Sequence, residues 1–326
     1  MGEAYLMGGG GMRLRSLEVT QQPDKILYLS GQNADLTGAK IRALFARDAI
    51  TLTPDNYSYS PSGALAVTDE AIIVTSTIGG VTRAASIPIT VLDFNATLNL
   101  NGWDMIALAS SDGIAKDLWS VGDTKTDTVN GVEYTFKIIA FDADPLDTTD
   151  AKYNDASYNG GKKKAGITFQ VFTCPSAGKM HNSSADAGWD DCSMRKTLLK
   201  NLYNSFPAGL RGVIRTVKKY TMHGYYYNKS GKTNAFYTAD TLFIPAVKEI
   251  HSGSGLSQYM TQEGNNVPFY TYYQNGATPP DNSWTRSSDS PSCGVENHYA
   301  YHSSNKAFGL DSGAQSNRYY YPIFNI

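Results

Sequence analysis

LWSVGDTKTDTVNGVEYTFKIIAFDAD, at Leu118–Asp144, carries the clearest structural signal in the chain. Val129-Asn130-Gly131-Val132 contains the Asn-Gly pair of a two-residue hairpin turn. The residues that follow, Tyr134 to Phe141, form an apolar run of the length of a buried strand. The stretch therefore predicts a β-hairpin whose second strand lies in a core.

Downstream of this hairpin the sequence predicts a further strand, a helix and a buried turn. ITFQVFTC, at Ile167–Cys174, is the predicted strand, and ADTLFIPAVKEI, at Ala239–Ile250, is the predicted buried turn-strand element. Between them, Asp190, Asp191 or Ser193 is predicted to cap a helix. The apolar stripe of that helix is expected at Met194, Leu198, Leu199, Leu202 and Tyr203.

Upstream of the hairpin, residues 16–92 alternate short β-prone runs with turn residues, as in a small sandwich. Six strands are predicted, at Ser16–Thr20, Ile26–Leu29, Lys40–Phe45, Ala49–Leu52, Ala71–Thr77 and Ala84–Val91. Residues 93–102 are interpreted as a linker. Residues 1–15 are interpreted as a flexible amino-terminal anchor peptide, with the glycine run Gly8–Gly11 as its hinge.

LEVTQQPDKILYLSGQNADLTGAKIRALFARDAITLTPDNYSYSP, at Leu17–Pro61, and the closing hairpin AIIVTSTIGGVTRAASIPITV, at Ala71–Val91, resemble the bacterial immunoglobulin-like repeats of surface and phage proteins. The resemblance covers about residues 16–92. It implies an immunoglobulin-like β-sandwich that acts as a spacer or stalk.

A second resemblance covers about residues 100–326. It lies in LWSVGD, WDDCSMRKTLL, FPAGLRGVI, DTLFIPAVKEI, WTRS and the closing YYPIFNI. In order and spacing these pieces resemble a domain family of unknown function that is widespread in phages and gut bacteria. The resemblance implies a C-type-lectin-like domain at residues 103–326, similar in outline to formylglycine-generating-enzyme domains, with a recognition face on long carboxyl-terminal loops.

The fold class expected from both resemblances is mainly β with an α+β second domain: an immunoglobulin-like β-sandwich followed by a C-type-lectin-like domain. Within the second domain, Trp284, Pro245 and Phe324 are interpreted as framework residues. Arg286 is expected to pair with a carboxylate or with backbone carbonyls.

Tyrosine is concentrated near the carboxyl end, where 14 of the 22 Tyr residues lie between Tyr220 and Tyr321. They are mixed with Asn, Ser and Gly, as in recognition loops, although any single Tyr also suits a strand or a half-buried surface. We expect ligand contact in two loops, Asn265–Asp281 and Asp289–Tyr321. The predicted ligand-binding residues are Tyr270, Tyr272, Tyr273, Asn297, His298, Tyr299, Tyr301, His302, Asn305, Arg318, Tyr319 and Tyr320.

The sequence predicts no catalytic residue, no metal site and no cofactor, and hence no enzyme. Asp142 and Asp144 form a carboxylate pair, but nothing marks them as a hydrolase acid and base. Cys293 has no nearby partner, and His298 and His302 lack the glutamate of the HExxH zinc motif.

Charge and hydropathy restrict the partners. The chain has 28 Lys and Arg against 30 Asp and Glu, a net charge of −2, which argues against nucleic-acid binding. No run of 18 apolar residues predicts membrane insertion, and no secretory signal is recognised at the amino end.

These features favour a bacteriophage virion protein, of a tail or head fibre or decoration, made in the host cytoplasm and exposed on the particle. The amino-terminal segment is expected to contact other virion proteins, and the lectin-like domain to bind a host-surface glycan or protein, with homo-oligomerisation. Two alternatives remain: a purely structural decoration protein whose aromatic loops form subunit contacts, and a bacterial surface adhesin.

Overall fold

The computed structural model describes residues 13–173, 177–181, 189–222, 235–251, 269–280, 283–288, 298–302, 307–310 and 317–326. The chain divides into two compact units, Met1–Phe94 and Asn95–Ile326. Each unit has a hydrophobic core of its own. Strand makes up 36% of the chain and helix 21%, which confirms the predicted mainly β class.

The amino-terminal unit is built from eight short strands. They are β1 (Ser16–Gln21), β2 (Leu27–Leu29), β3 (Lys40–Leu44), β4 (Ala49–Thr51), β5 (Ser58–Ser60), β6 (Ala71–Ile78), β7 (Val81–Pro88) and β8 (Thr90–Leu92). The orders β1-β3-β4 and β5-β6-β7 form two antiparallel sheets, and β2 pairs with β8 in parallel. Alternate residues of β6, including Ile72 and Val74, enter the core of this unit.

Two details of this unit differ from the predicted strands. The strand predicted at Ala84–Val91 divides at Ile89, because Pro88 has no amide hydrogen with which to continue the ladder beside β6. Strand β5 was not predicted, because Ser58-Tyr59-Ser60 contains no apolar run.

The carboxyl-terminal unit combines short helices with three groups of strands. The helices are α1 (Trp103–Ser111), α2 (Ala115–Leu118), α3 (Lys200–Ser205), α4 (Ala208–Val213), α5 (Val247–Ile250) and α6 (Thr271–Gln274). The strands are β9 (Thr124–Val129), β10 (Val132–Phe141), β11 (Ile167–Val171), β12 (Val217–Met222), β13 (Ala235–Asp240), β14 (Ser283–Ser288), β15 (His298–His302), β16 (Ala307–Leu310) and β17 (Ile323–Asn325).

The predicted hairpin is present and starts the main sheet of this unit. Val129 pairs with Val132 across the turn, and both turn residues have positive φ, 50° at Asn130 and 81° at Gly131, as the Asn-Gly signal requires. The sheet is antiparallel in the order β17-β11-β10-β9. The sheets β12-β13 and β14-β15-β16 are separate from it.

Aromatic rings from distant segments fill the core of the carboxyl-terminal unit. Neighbouring ring centroids lie 5.4 to 6.2 Å apart, mostly edge to face. The rings are those of Trp103, Phe136, Phe169, Phe206 and Phe324. The last of these lies in YYPIFNI and confirms the framework role predicted for Phe324.

The segment predicted as a linker, 93–102, belongs largely to the carboxyl-terminal unit, whose first residue is Asn95. Leu98 is 2% exposed and lies in the core of this unit. The Asn101 side chain is also buried, and its Nδ2 donates to the carbonyl of Asn95 at 2.8 Å. The boundary between the two units therefore falls inside the predicted linker, and Leu98 and Asn101 are packed into the carboxyl-terminal unit.

The helix predicted after Trp189 is present, but it begins differently. Residues Met194–Leu199 form a π-helical segment that continues into α3. The Ser193 side chain makes no capping hydrogen bond, and the Asp191 carboxylate is bound by Lys196. Instead, the Sγ of Cys192 accepts the Arg195 amide at 3.3 Å.

The predicted apolar stripe of this helix is confirmed. Met194, Leu199 and Leu202 are buried, while Leu198 and Tyr203 are half-buried against the same core. In the part of the chain that the structure describes, no helix is both long and apolar enough to cross a membrane.

Candidate functional site

Four charged side chains form a fully buried network in the carboxyl-terminal unit. Asp144 follows β10, Lys219 lies in β12, Glu249 in α5 and Arg286 in β14. The Lys219 Nζ lies 2.6 Å from Asp144 Oδ1 and 2.7 Å from Glu249 Oε1. Arg286 binds Glu249 in bidentate fashion, with both N···O distances 2.6 Å. The two positive charges and the two negative charges cancel. Charged side chains are tolerated in a protein interior when they are paired in this way.

Glu249 accepts hydrogen bonds from three sides. Burial opposes its ionisation, but the charges of Arg286 and Lys219 outweigh burial and hold the pKa of Glu249 at about 2. The Ala246 amide donates to its Oε2 at 2.8 Å. Arg286 also donates to the carbonyl of Ile244 at 2.9 Å, so this arginine binds both a carboxylate and a backbone carbonyl. The framework role predicted for Arg286 is confirmed.

The other predicted framework residues lie beside this network. Trp284 is 1% exposed, and its Nε1 donates to the carbonyl of Gly178 at 2.9 Å. Pro245 is buried, and its carbonyl accepts the Arg286 amide at 3.0 Å. The segment around Pro245 and the strand β14 therefore form one fixed scaffold.

Two predicted ligand residues, Tyr270 and Tyr273, belong to the core and not to a surface loop. Both are buried, at 0% and 4% exposure. The Tyr270 hydroxyl donates to Asp144 and accepts from Lys219 at 3.1 Å; burial, then the negative charge of Asp144, raises the pKa of Tyr270 well above its usual value. The Tyr273 hydroxyl donates to Gln170. Their prediction as ligand contacts is wrong, because α6 interrupts the expected loop and turns these rings inward.

The prediction that Tyr320 contacts a ligand is also wrong. Its side chain is 3% exposed and lies against Gly178, where a Cβ atom would approach the ring to 3.1 Å. The neighbouring Tyr319 is 47% exposed, and Arg318 is half-buried. Tyr319 thus offers a large accessible ring.

Tyr272 occupies an intermediate position between core and surface. It packs edge-on against Phe172, with ring centroids 5.8 Å apart, and accepts a hydrogen bond from Lys137 Nζ at 3.0 Å. The lysine also lies 4.0 Å from the centre of the Phe172 ring. These contacts make Tyr272 part of a packed aromatic and basic patch and not a free loop residue.

Four of the remaining predicted residues lie in a strand. His298, Tyr299, Tyr301 and His302 belong to β15, which pairs with β14 and β16. The segment predicted as the loop Asp289–Tyr321 therefore contains two strands. Asn297 and Asn305 lie outside the described residues, as do the tyrosine run Tyr225–Tyr227, Cys293 and the glycine hinge.

A surface groove that the sequence did not predict runs along the helix 194–205. It encloses about 440 Å³ between this helix and the end of β13. Its lining residues are Arg195, Lys196, Leu199, Lys200, Tyr203, Asn204, Ala239, Asp240, Thr241 and Leu242. We call this feature the helix groove. Leucine side chains supply its apolar part, while three cationic residues, a carboxylate, an amide, a hydroxyl and a phenol supply its polar part.

Asp240 fixes one wall of the helix groove. Its Oδ1 accepts from Arg195 Nε at 2.5 Å. Its Oδ2 accepts from the buried Trp189 Nε1 at 3.0 Å and from Thr238 Oγ1 at 2.6 Å. Arg195 also donates to the carbonyl of Ala239 at 3.0 Å. The helix is therefore attached to β13 by a charged pair that is largely shielded from solvent.

An exposed aromatic pair lies on β12 and β13. Tyr220 and Tyr237 are partners across the two strands, with ring centroids 5.2 Å apart at 68°. The Lys218 Nζ lies 3.9 Å from the centre of the Tyr237 ring, and Tyr237 remains 49% exposed. We call Lys218, Tyr220 and Tyr237 the tyrosine platform. Ala239, two residues after Tyr237 in β13, lines the helix groove, so platform and groove share this strand.

Little in the sequence indicates the groove. Arg195, Lys196 and Lys200 lie on the polar side of an amphipathic helix, which by itself indicates a solvated face. The groove exists because the fold brings this helix to residues 239–242. Tyr220 and Tyr237 belong to the tyrosine-rich region, but only the pairing of β12 with β13 places them together.

Among the described residues, no three His, Cys, Asp or Glu side chains come together as a possible metal site. Comparison with protein-family models and with curated proteins finds no match to this chain.

Proposed function

We propose that this chain is a bacteriophage virion protein whose carboxyl-terminal unit binds a glycan on the host surface. In this proposal the amino-terminal unit is an immunoglobulin-like spacer, and the carboxyl-terminal unit is a C-type-lectin-like domain. Residues 1–15 attach the chain to other virion proteins. The role is binding without catalysis, and homo-oligomerisation on the particle multiplies individually weak contacts.

The tyrosine platform is the observation that supports this proposal most directly. Sugars present flat faces of C–H groups, which pack on aromatic rings, and hydroxyl groups, which pair with polar side chains. Lys218 and Tyr220 pack against the Tyr237 ring, while about half of this residue stays accessible. A ring that is already ordered loses little conformational entropy on binding.

The strand behind the platform is tied to the protein core. Lys219 lies between Lys218 and Tyr220 in β12, points to the opposite face of the strand and is held in the buried charge network. Any shift of β12 would therefore break a fully buried ion pair. A binding surface on such a strand keeps its geometry better than one on a free loop.

The experiment is a cell-binding assay with the purified, labelled full chain on a panel of encapsulated gut bacteria. We expect Tyr237→Ala to weaken binding about tenfold, equivalent to roughly 1.4 kcal/mol. Tyr319→Ala is the matched variant, since the exposures of Tyr237 and Tyr319 are nearly equal at 49% and 47%. Loss of binding in Tyr319→Ala but not in Tyr237→Ala would place the site on the carboxyl-terminal segment and contradict the platform assignment.

The same assay separates a glycan from a protein receptor. Mild periodate oxidation of the cells, which cleaves sugar diols, is expected to abolish binding. Protease treatment of the cells is expected to leave it intact. The reverse pattern would show a protein receptor and overturn the glycan assignment.

A purely structural decoration role is the second candidate. In this candidate the exposed side chains of Leu100 and Val132, at 70% and 54% exposure, would be covered by neighbouring subunits. This candidate requires the tyrosine platform to be buried in the assembled particle, which a structure of the virion would reveal.

A further inference from the structure

The charged residues of the helix groove do not fully compensate one another. Arg195 and Asp240 neutralise each other in a pair whose carboxylate is 3% exposed. Lys196 and Asp191 form a second pair, but both side chains are more than half exposed, so water and a ligand compete for it. Lys200 forms no ion pair within the described residues. The groove therefore carries one positive charge that no carboxylate compensates.

The shape of the groove suits a compact polar ligand. Its volume of about 440 Å³ lies within the range of small-molecule sites. Leu199 and Leu242 are buried side chains that offer an apolar base. Asn204 is exposed, and the Tyr203 hydroxyl is fixed by donation to the carbonyl of Arg211 at 3.2 Å. Apolar base, fixed phenol and amide together match the faces of a sugar ring.

The helix itself is unusual at this place. Arg195, Lys196 and Leu199 belong to the π-helical segment, a conformation that is rare and often found at functional sites. A π-helical turn widens the helix and changes the direction of the side chains that follow it. Within this segment Arg195 reaches β13, where it contacts Asp240 and the carbonyl of Ala239.

We propose that the helix groove binds a carboxylate-bearing sugar residue, a uronic or sialic-type acid, of the glycan that packs on the tyrosine platform. This inference rests on the proposed function, because the helix groove and the tyrosine platform share strand β13. The single excess positive charge matches a monoanionic carboxylate. A phosphate dianion fits less well, since the Asp240 carboxylate lies in the same wall.

The test uses the full chain and free sugars in a calorimetric titration. The probes are glucuronate, galacturonate and N-acetylneuraminate, each beside its methyl ester, which keeps the ring and removes the charge. At least one free acid is expected to bind at least about fivefold more tightly than its ester. Raising the salt concentration from about 20 to about 300 mM should weaken binding of the acid and leave binding of the ester unchanged.

Two variants assign the effect to the groove. The double variant Lys196→Gln and Lys200→Gln is expected to remove the preference for the acid. Lys116→Gln is the matched control, because Lys116 is an exposed lysine of the same unit that does not line the groove. All three lysines are exposed, so we expect the variants to keep the fold. Thermal unfolding of each variant verifies this.

Equal binding of every acid and its ester, or a preference that survives in the double variant, would overturn the groove assignment. If the full chain binds cells through Tyr237 while no acid is preferred, the groove assignment falls and the proposed function stands. If the full chain binds no cells, the proposed function itself is overturned, and the sugar assignment with it.

Discussion

Glu249 is the residue on which the buried charge network depends, since it contacts both cations. Glu249→Gln keeps the size of the side chain but leaves Lys219 and Arg286 with one carboxylate between them. We expect a loss of about 3–5 kcal/mol in the free energy of unfolding, as for other broken buried ion pairs. Chemical denaturation at neutral pH measures it.

The matched control is Asp191→Asn, which breaks the exposed Lys196–Asp191 pair. Its side chains are 56% and 58% exposed, so we expect a change of at most about 0.5 kcal/mol. Equal effects of the two substitutions would contradict the role assigned to burial.

The same carboxylate makes stability depend on pH. Its pKa lies at about 2 in the folded chain, below its ordinary value of 4.5. A lowered pKa means that the stabilisation is complete above pH 4.5 and is lost as the pH falls toward 2. Urea unfolding between these pH values should show the gap between the native chain and Glu249→Gln narrowing. A gap that stays constant over this interval would contradict the prediction.

At the scale of single elements, the β9–β10 hairpin offers a test of turn geometry. Gly131 has a φ of +81°, and Gly209 in α4 has no positive φ, yet a Cβ at either position would meet no atom within 4 Å. Only backbone conformation distinguishes the two glycines. We expect Gly131→Ala to destabilise the chain by about 1–2 kcal/mol and Gly209→Ala to stabilise it by about 0.5 kcal/mol, as thermal unfolding would measure. Effects of the same sign would contradict this account.

Elements with a local signal could be predicted from the sequence. The Asn130-Gly131 turn, the strand after it and the apolar stripe of the helix 194–205 need only neighbouring residues, and all three are present. Helix α6 was missed because four residues, Thr-Tyr-Tyr-Gln, are too few to show a helical period. Strands β15 and β16 were also missed, because they lie in a polar, aromatic stretch of the sequence.

The candidate site could be predicted only in part, because its decisive contacts are distant in the chain. Tyr270 is buried by partners that lie 126 and 51 residues away, Asp144 and Lys219. Nothing near Tyr270 in the sequence separates it from an exposed tyrosine. The framework role of Arg286 was easier to predict. An arginine close to a core tryptophan in the sequence needs a hydrogen-bond or ion-pair partner, even when the sequence does not identify that partner.

At the scale of the whole molecule, two separate cores predict two separable unfolding events. Ile72 and Ile138 are a matched pair, since both are fully buried and each lies in a different core. We expect Ile72→Ala to destabilise the amino-terminal unit alone by about 2–4 kcal/mol, and Ile138→Ala the carboxyl-terminal unit alone. Scanning calorimetry of the full chain would show which transition moves. A single transition that shifts in both variants would contradict independent cores.

The four members of the buried charge network, Asp144, Lys219, Glu249 and Arg286, fasten together four segments that are far apart in the chain. Once both ends of a connecting segment are pinned, its length adds little to the free energy of folding, because the entropy of loop closure grows only with the logarithm of length, about 0.6 kcal/mol for each doubling. Insertions and deletions in the segments between these residues are therefore expected to change the free energy of folding only slightly. The scaffold that holds the proposed binding surface can stay constant while the segments around it change in length and composition.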